Sequence, residues 1–139
     1  MKKITMILLF VFAISSTFAQ DSAKKTDPKL FGTWSGSEVD GQIKGMTKNW
    51  IMHRFEDGTF VLLFTTVKGS KITNFAEKGR WWIDEDGLFN EFHNISELTD
   101  IYIYQIIDNN NVKFKAKKVS IEMAGDSYEF IDKRVDDGA

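Results

Sequence analysis

Leu30-Phe31-Gly32-Thr33-Trp34 opens the first strand-length stretch of this 139-residue chain, and the fold is read outward from it. Downstream, short segments rich in Phe, Trp, Tyr, Val, Ile and Thr alternate with turn chemistry, which is the composition of β-strands. Asp57-Gly58 and Asp86-Gly87 are strong two-residue hairpin signals, because a type I′ turn needs positive φ at both central residues. Asn109-Asn110-Asn111 is a weaker form of the same signal, and Lys68-Gly69-Ser70-Lys71 and Gly125-Asp126 mark further reversals. The spacing predicts eight strands, at about 31–38, 48–56, 59–67, 76–85, 88–94, 100–108, 112–122 and 127–135. No stretch carries a 3.6-residue period, although Asp27 to Leu30 suits one helical turn before the first strand.

Upstream of that stretch the chain reads as a removable leader. Met1-Lys2-Lys3 is a short basic region, Ile4 to Ile14 is almost unbroken apolar sequence, and Ser15-Ser16-Thr17-Phe18-Ala19 supplies small residues at a cleavage site. The apolar run falls short of the ~20 residues of a comfortable membrane span, which weighs against an uncleaved anchor. The expected organisation is a signal peptide over 1–19, a polar, flexible lead-in over 20–29 holding the only proline, Pro28, one domain over 30–135, and a tail over 136–139. The expected location is therefore periplasmic or secreted, with no stable membrane span once the leader is gone.

Composition narrows the function classes. Without Lys2 and Lys3, 18 − 2 = 16 basic residues face 20 acidic ones, a net charge of −4 that offers no basic footprint for nucleic acid. The absence of cysteine excludes thiol nucleophiles, zinc–thiolate sites, iron–sulfur clusters and acylation at a leader-proximal cysteine. An exported domain without disulfides must rely on its core, and 4 Trp, 12 Phe and 3 Tyr, most of them after the leader, supply one.

If the hairpin loops hold two residues each, side chains that share a face follow from the period of two along a strand. Around Asp57-Gly58, Phe55, His53 and Ile51 then oppose Phe60, Leu62 and Phe64 on a nearly all-apolar face. Around Asp86-Gly87, Trp81 opposes Phe92 and Ile83 opposes Asn90, while Arg80, Trp82, Glu91 and His93 take the other face. Across the asparagine turn, Ile101, Ile103, Gln105 and Ile107 join Val112, Phe114 and Ala116, leaving Tyr102, Tyr104, Lys113, Lys115 and Lys117 outside. Three hairpins with one apolar and one mixed face describe a meander that avoids edges by closing into an all-β, eight-stranded, antiparallel up-and-down barrel. An open β-sandwich is the alternative that the same turn spacing permits.

Gly32-x-Trp34 on the first strand resembles the opening motif of the lipocalins and their wider superfamily. The leader, the Asp-Gly hairpin, the central Gly79-Arg80-Trp81 and the terminal Arg134-Val135 are similar to those of small exported bacterial lipocalin-like domains. The resemblance spans about residues 30 to 135 and implies that Trp34 packs across the closed end with Arg134 over its ring, while Gly32 belongs to the same structural motif. The chain departs from animal lipocalins in length, in lacking a cysteine pair and in showing no C-terminal helix. It departs from fatty-acid-binding proteins in having no helix pair after the first strand and no terminal Arg-x-Tyr.

An eight-stranded barrel is just wide enough to be filled by its own side chains or to hold one small ligand. The residues expected to line such a cavity are Ile51, His53, Phe55, Phe60, Leu62, Phe64, Trp81, Ile83, Phe92, Ile103, Gln105 and Phe114. With only His53 and His93 available, on opposite kinds of face, no metal site is expected, and no cofactor. Arg80, Trp82, Glu91 and His93 form the one constellation with acid–base character, but a solvated outer face does not shift pKa values for catalysis, so no enzyme is expected. Two functions remain open. One is an exported protein holding a small hydrophobic ligand in the barrel. The other is a packed barrel acting through its surface as an inhibitor, adhesion or envelope module, with Tyr102, Tyr104 and Trp82 exposed.

Overall fold

The computed structural model describes residues 24–120 and 128–136, so the expected leader, the Gly125-Asp126 reversal and all but the first residue of the expected tail lie outside the described residues. Eight strands form in chain order: β1 (Gly32–Val39), β2 (Thr47–Arg54), β3 (Thr59–Lys68), β4 (Lys71–Ile83), β5 (Phe89–His93), β6 (Leu98–Asp108), β7 (Asn111–Lys118) and β8 (Glu129–Arg134). Each pairs antiparallel with its neighbours in sequence, and β8 returns to β1 through Trp34 opposite Arg134, which closes the barrel. Closure leaves no unpaired edge, so the sandwich alternative does not apply. β4 begins five residues earlier than its composition suggests, because Gly69-Ser70 closes a tight turn between Lys68 and Lys71.

The hairpin registers differ from the expected ones by one residue, for a definite reason. Phe55 N–H donates to Thr59 O (2.9 Å) and Gly58 N–H to Phe55 O (3.2 Å), so the loop is the three residues Glu56-Asp57-Gly58. Only Gly58 has positive φ (+82°), which suits a type I turn followed by a left-handed glycine rather than a type I′ pair. The Asp57 carboxylate holds that shape by accepting from both the N–H and the hydroxyl of Thr59. Asp84 to Leu88 repeats the arrangement, with Gly87 at φ +75° and Asp84 accepting from the N–H groups of Asp86 and Leu88.

A one-residue slip exchanges the two faces of a strand. Arg54 therefore pairs with Phe60, Met52 with Leu62 and Trp50 with Phe64, and these six face inward. Ile51, His53 and Phe55 face outward instead, with Ile51 50% and Phe55 41% exposed. On the second hairpin Phe89, Glu91 and His93 oppose Ile83, Trp81 and Gly79, and Phe92 lies outside beneath the Arg80 guanidinium at 4.8 Å. The asparagine turn is a two-residue loop as expected, with Asp108 opposite Asn111. A bulge between Ile106 and Asp108 nevertheless reverses β6, so Tyr102, Tyr104 and Ile106 join Val112, Phe114 and Ala116 inside. Ile103 is 51% exposed, Gln105 is exposed, and Ile107 stands outside with them.

The end of the barrel where β1 starts is closed by packed side chains, with an open pocket beside Phe31, His53 and Phe55 on its outer side. Asp27 caps a short 3₁₀ turn, Pro28–Leu30, which places Leu30 fully out of solvent under the strands. Trp34 is equally buried and donates its Nε1–H to Leu30 O (2.9 Å). Arg134 lies over its indole at 4.1 Å and fastens this end by donating to the carbonyls of Phe31, Lys29 and Asn109. Residues of the expected lead-in join this floor: Lys25 bridges to Ile83, and Asp27 accepts from the Tyr104 hydroxyl.

Candidate functional site

Above that floor the barrel is hollow. A cavity of about 600 Å³ occupies the other half and opens between the loops that join β1 to β2 and β5 to β6. Its size falls within the ~300–1,000 Å³ of small-molecule pockets. The aromatic wall is a chain of contacts: Trp50 stacks with Phe64 (6.3 Å between centroids), Phe64 with Phe75 (5.0 Å), and Phe130 meets Trp50 edge-on (5.3 Å). Met52, Leu62, Leu98, Tyr102 and Tyr128 complete the apolar lining, and Ile43, Met46 and Ile95 stand at the mouth. Trp50 reaches its position because Gly36 leaves room. A Cβ there would sit 2.2 Å from the indole ring, and no other residue would allow the ring to lie flat on β1.

The lining also carries charge, in three separate groups. At the base, Arg54 is 2% exposed and pairs with Asp132 at 2.7 Å, while the other Asp132 oxygen accepts from Trp50 Nε1–H (2.8 Å). Arg54 Nε and Nη1 have no hydrogen-bond partner among the described residues, and the ring faces of Phe89 and Phe114, each 5.1 Å away, take the place of acceptors. Nearer the mouth, Lys48 pairs with Glu38 at 2.8 Å and donates to Gln42 Oε1, all three being largely buried. The Tyr128 hydroxyl is pushed well above the ordinary tyrosine range, first by burial and further by the negative charge of Glu38.

The third group centres on His93, which rests edge-on against Phe60 (5.7 Å). Its Nδ1 lies 3.0 Å from Glu77, and its Nε2 lies 3.3 Å from Glu91 and 3.4 Å from Asp100. Burial works to lower the imidazole pKa, but hydrogen bonds to Asp100 and Glu91 and their negative charges outweigh it and raise it to about 11. His93 is thus an imidazolium at neutral pH, donating from both nitrogens. Burial likewise acts to raise the Asp100 carboxyl, yet His93 and the Ser120 N–H (2.7 Å) hold it below its ordinary range.

Of the residues expected to line a cavity, Leu62 and Phe64 do so. Phe60, Trp81 and Phe114 point inward but belong to the packed floor, and Ile83 packs half-buried against it. Ile51, His53, Phe55, Phe92, Ile103 and Gln105 are on the outside, displaced by the register and bulge effects described above. His53 is bonded there through Nδ1 to the Thr33 hydroxyl (2.8 Å) and leans on Phe55. The constellation of Arg80, Trp82, Glu91 and His93 is divided, its first two members outside and its last two within.

Trp50, Arg54, Glu77, Asp100 and Asp132 are absent from the expected lining because charged residues on a strand are those of a solvated face, and Trp50 shares the face of Arg54 on β2. A sharper signal was present in Trp50-Ile51-Met52-His53-Arg54, where either face has large apolar residues and only loop geometry chooses between them. No helix among the described residues is long and apolar enough to cross a membrane. No family model matches the chain, and no curated protein matches its sequence.

Proposed function

We propose that this chain is an exported, lipocalin-like binding protein that holds one small, mostly apolar molecule in its barrel. The observation that carries this reading is the cavity of about 600 Å³ with its aromatic wall. A barrel selected only for stability would gain by filling that space, since each unfilled methyl-sized void costs about 1 kcal/mol. The motif of Gly32, Trp34 and Arg134 seals the far end, which leaves the mouth as the route of entry. The leader-like sequence over 1–19 supports export, and the barrel topology together with this motif supports kinship with the lipocalin superfamily.

The outside of β2 and β3 favours a second reading, in which the barrel also works through its surface. Ile51 pairs there with Leu63, which is 60% exposed, and His53 pairs with Val61. Tyr102, Tyr104 and Trp82 do not serve this reading, because all three are buried or half-buried.

Native mass spectrometry of the full-length protein purified from its own source separates the two. The expected result is a released small molecule at one copy per barrel. A bare barrel that co-purifies only with another protein would overturn the ligand reading in favour of the surface one.

A further inference from the structure

The charges that line the cavity do not balance, and the imbalance is local. Arg54 cancels against Asp132 and Lys48 against Glu38, each as a close pair. Around His93, by contrast, three carboxylates meet a single positive charge.

The three carboxylates are not equally occupied. Glu77 uses one oxygen for His93 and the other for the Ile95 N–H (3.1 Å). Asp100 gives one to the Ser120 N–H, while the other lies near His93 and accepts from the Tyr102 hydroxyl (3.4 Å). Glu91 faces His93 with one oxygen, and its second has no hydrogen-bond partner among the described residues although the residue is only 8% exposed. Glu91 lines the cavity, and its second oxygen is not among the sealed polar atoms of the interior. A carboxylate oxygen left accessible on a mostly apolar cavity wall is free to accept from whatever fills the cavity, and a charged donor satisfies it best.

We propose that the molecule held in this cavity carries a cationic head group, such as a protonated amine, that is received by Glu91 beside His93, Glu77 and Asp100. The apolar body then lies along Trp50, Phe64 and Phe130. This rests on the reading of the barrel as a small-molecule carrier and adds the chemical class of what it carries. A carboxylate-headed ligand would meet net negative charge at the same place, and the two cations elsewhere in the lining are already neutralised. The wall thus discriminates by repulsion as well as by attraction.

Competition among three ligands of equal chain length tests the assignment. The neutral fluorophore N-phenylnaphthylamine is bound to the full-length protein and displaced at neutral pH by octylamine, octanol or octanoate. Octylamine is expected to compete at least about tenfold better than either of the others. Glu91→Gln is expected to reduce that preference to within about twofold, the preference being read as a ratio within each protein and so independent of any change in its affinity for the fluorophore. The wild-type comparison stands even if this variant fails to fold. Fluorophore binding without preference for the amine, or with preference for octanoate, would overturn the cationic head group and leave the carrier reading in place. Failure of the wild-type barrel to bind the fluorophore at all would overturn the carrier reading itself.

Discussion

Arg54 shows how a charge comes to be stable inside this barrel. It is held by one carboxylate and two aromatic faces, and that carboxylate is shared with the indole N–H of Trp50. Removing one member of a buried pair strands the other, which typically costs 3–5 kcal/mol, about as much as losing a large core side chain. Arg54→Met is therefore expected to destabilise the fold by about 3–5 kcal/mol. Combining it with Asp132→Asn should cost less than Arg54→Met alone, because the amide oxygen still accepts from Trp50 and no charge is left unpaired. Urea unfolding of the two single variants and the double one gives the coupling directly, and additive costs would show that the pair is not coupled. Trp34 and Arg134 lie at the other extreme of legibility. Their pairing was readable from the chain because one short motif and one terminal arginine carry it, and the contact is present at 4.1 Å. Arg54 was not readable, because its partner stands 78 positions away and the face it occupies depends on a loop.

Loops decide most of what lies on each face. The number of strands, their order and the meander were legible because turn residues punctuate the chain at strand-length intervals. The facing of β2 and β5 was not, because Asp-Gly serves both a two-residue type I′ turn and the last two residues of a three-residue loop. The choice falls to Asp57 and Asp84, whose carboxylates bind N–H groups within their own loops and so stabilise the longer form. The bulge at Ile107 has no equivalent marker in composition. Gly58→Ala and Gly87→Ala are each expected to destabilise the barrel by roughly 1 kcal/mol, through the cost of a Cβ at positive φ. The loss would appear as a lower urea midpoint with an unchanged slope. Asp57→Ala and Asp86→Ala make a further contrast, since Asp57 bonds Thr59 and Asp86 accepts nothing in its own loop: only the first should lower the midpoint.

The whole molecule is a barrel of two halves, a floor packed with aromatic side chains and a hollow upper half lined by aromatic residues and paired ions. The His93 group ties β4, β5 and β6 together across the boundary, and it makes stability depend on pH. The raised His93 pKa contributes stability that is fully present below pH 6.5 and is lost as pH rises toward about 11. The lowered Asp100 pKa contributes stability that is present above 3.8 and is lost as pH falls below it. The melting temperature should therefore be highest between these limits and decline on the alkaline side well before the lysines titrate. The His93 ring protons should show no titration by NMR from pH about 6 to about 9, where an ordinary histidine would lose its charge. Legibility fails at this scale for a simple reason. Hydrophobic patterning assigns apolar residues to the interior, whereas this interior has seven Asp, Glu, Lys, Arg and His side chains in its lining and leaves Ile51, Leu63 and Ile103 outside. The central claim is that the hollow half takes up one small apolar molecule against Trp50, Phe64 and Leu62. Its most direct measurement is titration of the protein with N-phenylnaphthylamine, following energy transfer from tryptophan, beside a Leu62→Trp variant that fills the cavity. One-to-one saturable uptake with quenched tryptophan emission, abolished in a variant that still unfolds cooperatively, is the predicted result; no uptake by the wild-type protein, or uptake that the filled cavity leaves unchanged, would contradict it.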